Sequence, residues 1–90
     1  MPTLHLMIKG KVQGVFYRAT AKETANKLGI TGWIKNTVEG DVEAVVTGET
    51  AQLQTFVEWC KNGPERASVS EVIVTEQDET MFDEFSILRG

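Results

Sequence analysis

Cysteine and histidine are almost absent: Cys60 and His5 are the single representatives of their kinds in 90 residues. One cysteine excludes an intrachain disulfide, and one cysteine with one histidine excludes a metal site built from a Cys–His cluster. No metal and no other cofactor is expected. A lone cysteine fits a reducing compartment, so the expected location is cytoplasmic. Long apolar runs are also missing. A membrane-crossing helix needs about 20 consecutive apolar residues, and no stretch approaches that. The N-terminus, MPTLHLMIKGK, lacks a basic segment leading into a long apolar one, so neither a secretory signal nor a membrane partner is expected. Excess positive charge is the third absence. Nine Lys and Arg against 13 Asp and Glu leave a formal net charge of −4. Duplex-binding proteins neutralise phosphates with a cationic surface, so no nucleic acid partner is expected. A small anion, held by one arginine and backbone N–H groups, stays compatible with this balance.

What is present is ordinary for a folded domain: 41% hydrophobic and 24% charged residues. Ninety residues accommodate one core and not two, which predicts a single domain over residues 1–90, expected as a monomer. Leu4, Leu6 and Ile8 alternate with His5, Met7 and Lys9, the period of a strand. Gly10 to Val15 reads as loop. From about Phe16 the period changes, and Tyr17, Ala21, Thr24, Ala25 and Leu28 share one helical face, which Gly29 ends. Ile30–Asn36 and Asp41–Thr47 form two strands joined through the turn TVEG, a hairpin. Thr50 is placed to cap a second helix, whose stripe is Leu53, Phe56, Val57 and Cys60 and which Gly63-Pro64 stops. ASVSEVIVTEQ gives a further strand and EFSILR a short last one. The order predicts an α+β sandwich, an antiparallel sheet with two helices on one face (βαββαβ plus a short C-terminal strand).

Between the first strand and the first helix lies GKVQGVFYR, residues 10–18. Spacing alone leaves two readings open. Glycines there permit a sharp turn, and an arginine early in a helix is often simply solvated. The chemical reading is a phosphate cradle. A loop entering a helix directs unpaired N–H groups outward, the helix dipole adds positive potential, and an arginine in the first turn supplies a forked, charged donor. The stretch has neither the Walker spacing nor the G-x-G-x-x-G of a dinucleotide site.

IKGKVQGVFYR resembles the signature of the acylphosphatase family, roughly apolar-x-G-x-V-Q-G-V-x-F-R. A second stretch, GWIKNTVEGDVEAVVTG at residues 32–48, is similar to that family's other motif, G-W-x-x-N-x-x-x-G-x-V and a later G. Tyr17 stands where Phe is usual and Ile34 where a smaller residue is usual; both concern packing. The resemblance spans nearly the whole chain. It implies a ferredoxin-like sandwich and metal-free hydrolysis of an acyl phosphate, a small-molecule substrate, to a carboxylate and inorganic phosphate. It further implies that Arg18 binds the phosphate, that the backbone N–H groups of Gln13, Gly14, Val15 and Phe16 form the anion loop, and that Asn36 positions the attacking water.

Away from the resemblance, Asn36 reads as a turn residue ending a strand. His5 lies mid-strand outside both motifs and reads as structural or exposed. Cys60 reads as a small core residue, Trp33 and Trp59 as packing residues, and Glu76, Asp78, Glu79, Asp83 and Glu84 as a solvated acidic edge. Two other classes share this order of elements. A regulatory domain that binds a small anion without catalysis would not need Asn36. An RNA-recognition domain would need basic residues and a K/R-G-F-G-F-V-x-F run on its central strands, and the sequence has no such run.

Overall fold

The computed structural model describes residues 1–89. The elements run β1 (Thr3–Lys11), α1 (Tyr17–Lys27), β2 (Thr31–Asn36), β3 (Val42–Thr47), α2 (Thr50–Asn62), β4 (Ser68–Gln77) and β5 (Phe85–Ile87). The five strands make one sheet in the order β4-β1-β3-β2-β5. Four of them pair antiparallel, whereas β5 lies parallel to β2. The sheet is therefore mixed at one edge, a refinement of the antiparallel expectation. Three residues of β5, added beside β2 after a crossover, leave no local signal of their direction.

Period two sorts the side chains. Leu6 and Ile8 of β1, Ile34 of β2 and Val42, Ala44 and Val46 of β3 share the face that meets the helices, and all are fully buried. Tyr17, Ala21 and Ala25 of α1 and Leu53, Phe56 and Cys60 of α2 close the same core. Full burial of a Leu- or Phe-sized side chain contributes about 1.5–3 kcal/mol. Trp59 packs against Tyr17 and Phe56, with ring centroids 5.2 and 6.1 Å apart. The Tyr17 hydroxyl donates to the Cys60 carbonyl at 2.7 Å, tying one helix to the other.

The opposite face of the sheet carries charged pairs among Val45, Met7 and Ile73. His5 is bonded to Glu43 at 2.7 Å, Lys9 to Asp41 at 3.1 Å, and the Lys35 ammonium sits 5.4 Å from the Trp33 ring centre. These half-exposed pairs contribute little individually; they account for His5 and Trp33 as surface-packing residues. At one end of the sheet the hydroxyls of Thr3 and Thr47 meet at 2.7 Å, and both bond the backbone of Thr80. That network anchors the acidic connection before β5.

Three local details differ from expectation. β1 continues through Lys11, because a bulge at Lys9/Gly10 shifts its register with β4 without ending it. Gly10 fits there with φ 126°, and a Cβ would collide with the Ser68 carbonyl. The N-cap of α2 is Glu49, with Thr50 its first helical residue and no side-chain cap bond. Helix α1 begins at Tyr17, because Phe16 turns left-handed. Gly29 and Gly63, both at positive φ, end α1 and α2 as their positions predict. No helix among the described residues is long and apolar enough to cross a membrane.

Candidate active site

Residues 12–16 connect β1 to α1. The loop is anchored at both ends: Val12 and Val15 are buried in the core, and Tyr17 follows them inward. Gly14 and Phe16 alternate with these and face outward. Gly14 has φ 74°, and a Cβ added there would meet nothing within 4 Å, so the backbone lies open to an approaching group. Phe16, at φ 64°, is the only non-glycine residue at positive φ among the described residues. Such a backbone costs on the order of 1 kcal/mol or more and persists only where the surroundings enforce it.

The loop's donors are free. Thr20 donates to the Phe16 carbonyl, the first intrahelical bond. Among the described residues no acceptor takes the backbone N–H groups of Gly14 to Ala19. Neither a capping side chain nor an acidic residue occupies the first turn of α1. Unpaired N–H groups and the positive end of the helix dipole therefore remain directed at solvent. Arg18 stands in that first turn, and no carboxylate among the described residues pairs with it. A cavity of about 330 Å³ opens beside it, lined by Val12, Gly14, Phe16, Tyr17, Arg18, Ala19 and Ile87. Arg18 is its one charged residue.

Asn36 ends β2. Period two places it on the helix side with Ile34, opposite to Trp33 and Lys35. Its Oδ1 is buried and is the one buried side-chain polar atom with no hydrogen-bond partner among the described residues. Such an acceptor costs roughly 1–3 kcal/mol unless something fills it, so an unpaired Oδ1 at this position calls for a donor from solvent or ligand.

The loop and the β2–β3 turn are joined by one side chain. The Gln13 amide donates both its hydrogens, to the Thr37 carbonyl at 2.8 Å and to the Asp41 carbonyl at 2.7 Å. Thr37 and Asp41 close that turn on each other, from Thr37 N–H to Asp41 O at 2.9 Å and from Asp41 N–H to Thr37 Oγ1 at 3.0 Å. The residue after Asn36 is thereby fixed to the loop. Of the residues singled out in the sequence, Gly14, Phe16 and Arg18 line the cavity, whereas Asn36 is not among its lining residues, the Gln13 side chain turns away to the hairpin and Val15 packs inward. Ile87 lines the cavity from β5 and carried no signal of its own, since its place depends on the crossover after β4.

The fold and the loop together define a class: a small ferredoxin-like α+β domain that presents an open strand-to-helix loop with an arginine in the first helical turn. The acylphosphatase family model matches residues 4–87. A curated acylphosphatase of Marinobacter nauticus is 51% identical over 76 residues, which cover 84% of this chain and 83% of the relative. Among solved structures, an acylphosphatase from Coxiella burnetii superposes with a TM-score of 0.94 at 38% identity, covering 97% of this chain and 92% of its own. The Bacillus subtilis acylphosphatase gives the same TM-score at 36% identity, covering 98% and 99%. The chain belongs to the acylphosphatase family, and it is an acyl phosphate hydrolase.

Proposed function

We propose that hydrolysis takes place at the mouth of the β1–α1 loop, with Arg18 and the loop N–H groups holding the phosphoryl group and Asn36 holding the water. The carrying observation is the buried, unpartnered Oδ1 of Asn36, on the helix side of the sheet and one residue before Thr37, whose carbonyl accepts from Gln13 of the loop. In this reading the phosphoryl oxygens accept from the free amides of Gly14, Val15 and Phe16 and from the Arg18 guanidinium. These donors stabilise charge spread over the equatorial oxygens in the transition state. Water donates a hydrogen bond to Asn36 Oδ1, which orients its lone pair toward phosphorus.

The bond changes balance without further reactants. The water oxygen forms a bond to phosphorus as the bond from phosphorus to the acyl oxygen breaks, and the carboxylate leaves with the electron pair. A carboxylic acid has a pKa near ~4, so that group departs as an anion and needs no proton. Asn36 is neutral and takes none; the proton lost by water passes to an oxygen of the phosphate product. Positioning and charge stabilisation suffice for this step, which is why the reading takes it as metal-free. It also takes the protein as a cytoplasmic monomer acting on a small molecule, in keeping with the acidic balance and the lone buried cysteine.

The test is Asn36→Ala, assayed on acetyl phosphate with chelator present. Turnover should fall by ~10²–10³, with the loss in kcat rather than KM, while inorganic phosphate still inhibits at the parent's concentration. Circular dichroism confirms that the hairpin is intact. A folded variant within about threefold of the parent would return Asn36 to the role of a turn residue, and loss of the parent's activity in chelator would end the metal-free reading.

A further inference from the structure

The side chain of Phe16 serves neither the core nor the phosphate. Its backbone contributes one N–H to the loop, yet its ring is 74% exposed. Of the large apolar side chains, Tyr17, Phe56, Phe85 and Ile34 are buried. An exposed aromatic ring held by a left-handed backbone gains nothing for folding, and glycine would adopt the same φ without cost. The ring stands at the rim of the cavity that Arg18 shares. Ile87, 39% exposed, lines the same cavity, and Leu88, equally exposed, follows it. Leu88 N–H donates to the Ile34 carbonyl at 2.8 Å, which holds this end of the chain against β2.

The cavity is thus divided by chemistry. Its polar lining is Arg18 and the loop's free amides. The rest, Val12, Phe16, Tyr17, Ala19 and Ile87, is apolar or presents a ring. A volume of about 330 Å³ falls at the small end of the range for sites that enclose an organic ligand, more than a bare phosphate occupies. The part of an acyl phosphate that must lie outside the anion loop is its acyl group. We infer that Phe16 and Ile87 form the wall against which the acyl group packs, and that they set a preference for acyl phosphates with aromatic or bulky apolar acyl groups over acetyl phosphate. This inference rests on the site proposed above and adds the selection of substrate. Phe16 and Ile87 act here as specificity residues, through contact with the non-reacting end of the substrate.

The experiment compares kcat/KM for benzoyl phosphate and acetyl phosphate in the parent, Phe16→Asn and Ile87→Ala. Asparagine tolerates the left-handed region, so Phe16→Asn removes the ring and keeps the loop. The ratio of benzoyl to acetyl should fall roughly tenfold in Phe16→Asn; the ratio is the readout because Phe16 also lends an N–H to the loop. Ile87→Ala, outside the loop, should lower the same ratio severalfold. An unchanged ratio in either folded variant overturns the inference. So does an equal loss on both substrates with loss of phosphate inhibition, because the ring would then serve the loop's shape. Arg18→Ala separates the two levels. If it loses both substrates while Phe16→Asn leaves the ratio unchanged, the site stands and the acyl wall falls. If Arg18→Ala retains turnover, the site itself is misplaced.

Discussion

The chain uses the same unit twice. β1–α1–β2 and β3–α2–β4 are each strand, helix, strand, and both helices pack on one face of the sheet. The two halves differ most where strand passes into helix. In the first, five residues, 12–16, separate β1 from α1; in the second, only Gly48 and Glu49 separate β3 from α2. The short joint is closed. Gly48 is buried and its N–H donates to the Pro2 carbonyl at 3.3 Å, while the N-cap position carries an extended Glu49. The long joint is open, with free amides, a glycine backed by empty space, and Arg18 in the first turn. The fold therefore supplies two helix N-termini of the same polarity. Only one has the length, the exposure and the sign of charge that an anion requires; at the other, a carboxylate stands where a phosphate would arrive. A helix dipole by itself does not make the site.

The largest effect should come from making the open joint electrostatically ordinary. Arg18→Ala should reduce turnover of acetyl phosphate by more than ~10³-fold and weaken phosphate inhibition, since the forked donor acts in ground and transition states alike. Arg18→Lys should recover little, because an ammonium cannot supply two parallel donors. Steady-state kinetics with phosphate as inhibitor reads both. Arg18→Lys activity close to the parent's would mean that charge alone, and not its geometry, separates the two joints.

A smaller effect should follow from cutting the open joint loose. Gln13 uses both amide hydrogens to hold the turn beside Asn36. Gln13→Ala should lower kcat about tenfold by letting loop and water-holder drift, and stability by ~1–2 kcal/mol for two lost hydrogen bonds. Gln13→Glu is the sharper probe. It keeps the shape but presents carboxylate oxygens to two carbonyls, so it should be less stable than Gln13→Ala at pH 7. Urea titration of the three proteins gives the order; a variant with glutamate as stable as the parent would show that the side chain merely fills space.

Much of this difference was legible in the residues. The order of seven elements follows from period two, period 3.6 and the stops at Gly29 and Gly63. The loop stood out because glycines and an arginine separate a strand from a helix, and the resemblance attached roles to Arg18 and Asn36. What escaped notice depends on contacts far apart in the chain. The Gln13 side chain finds its acceptors 24 and 28 residues away, and nothing around it marks the amide as a tie. The left-handed turn at Phe16 breaks the rule that such positions take glycine, so no residue type announced it. Ile87 joins the site because β5 crosses over to lie parallel to β2, a choice three residues cannot encode. Thr50 has the chemistry of a cap, yet it is the first helical residue and Glu49 holds the N-cap position.

The smallest effect on catalysis should come from the seam where the halves meet away from the site. Tyr17 of the first half donates its hydroxyl to the carbonyl of Cys60 in the second. Burial pushes the Cys60 thiol up to about 12, well above an ordinary cysteine, with the Tyr17 contact opposing this only in part. Cys60→Ala should therefore leave turnover at neutral pH unchanged, apart from a lower unfolding midpoint from the lost packing. Its signature lies at alkaline pH. The native state keeps the thiol protonated up to about pH 12, while the unfolded chain releases that proton near its ordinary pKa of ~8.5. Above ~8.5 the native state binds more protons than the unfolded one, so stability falls as pH rises, by up to ~1.4 kcal/mol per pH unit. Below that pH the contribution is fully present. Urea unfolding of parent and Cys60→Ala between pH 8 and 9 stays under the range where tyrosine ordinarily ionises, near ~10, so Tyr17 adds little difference. The parent should lose more stability across that range than the variant, in which only the loss common to both proteins, such as that from the Glu79-paired N-terminus, remains. Parallel slopes, or rapid reaction of the parent's thiol with a disulfide reagent at pH 8 without denaturant, would show that Cys60 is reached by solvent and that the seam between the halves is looser than its packing implies.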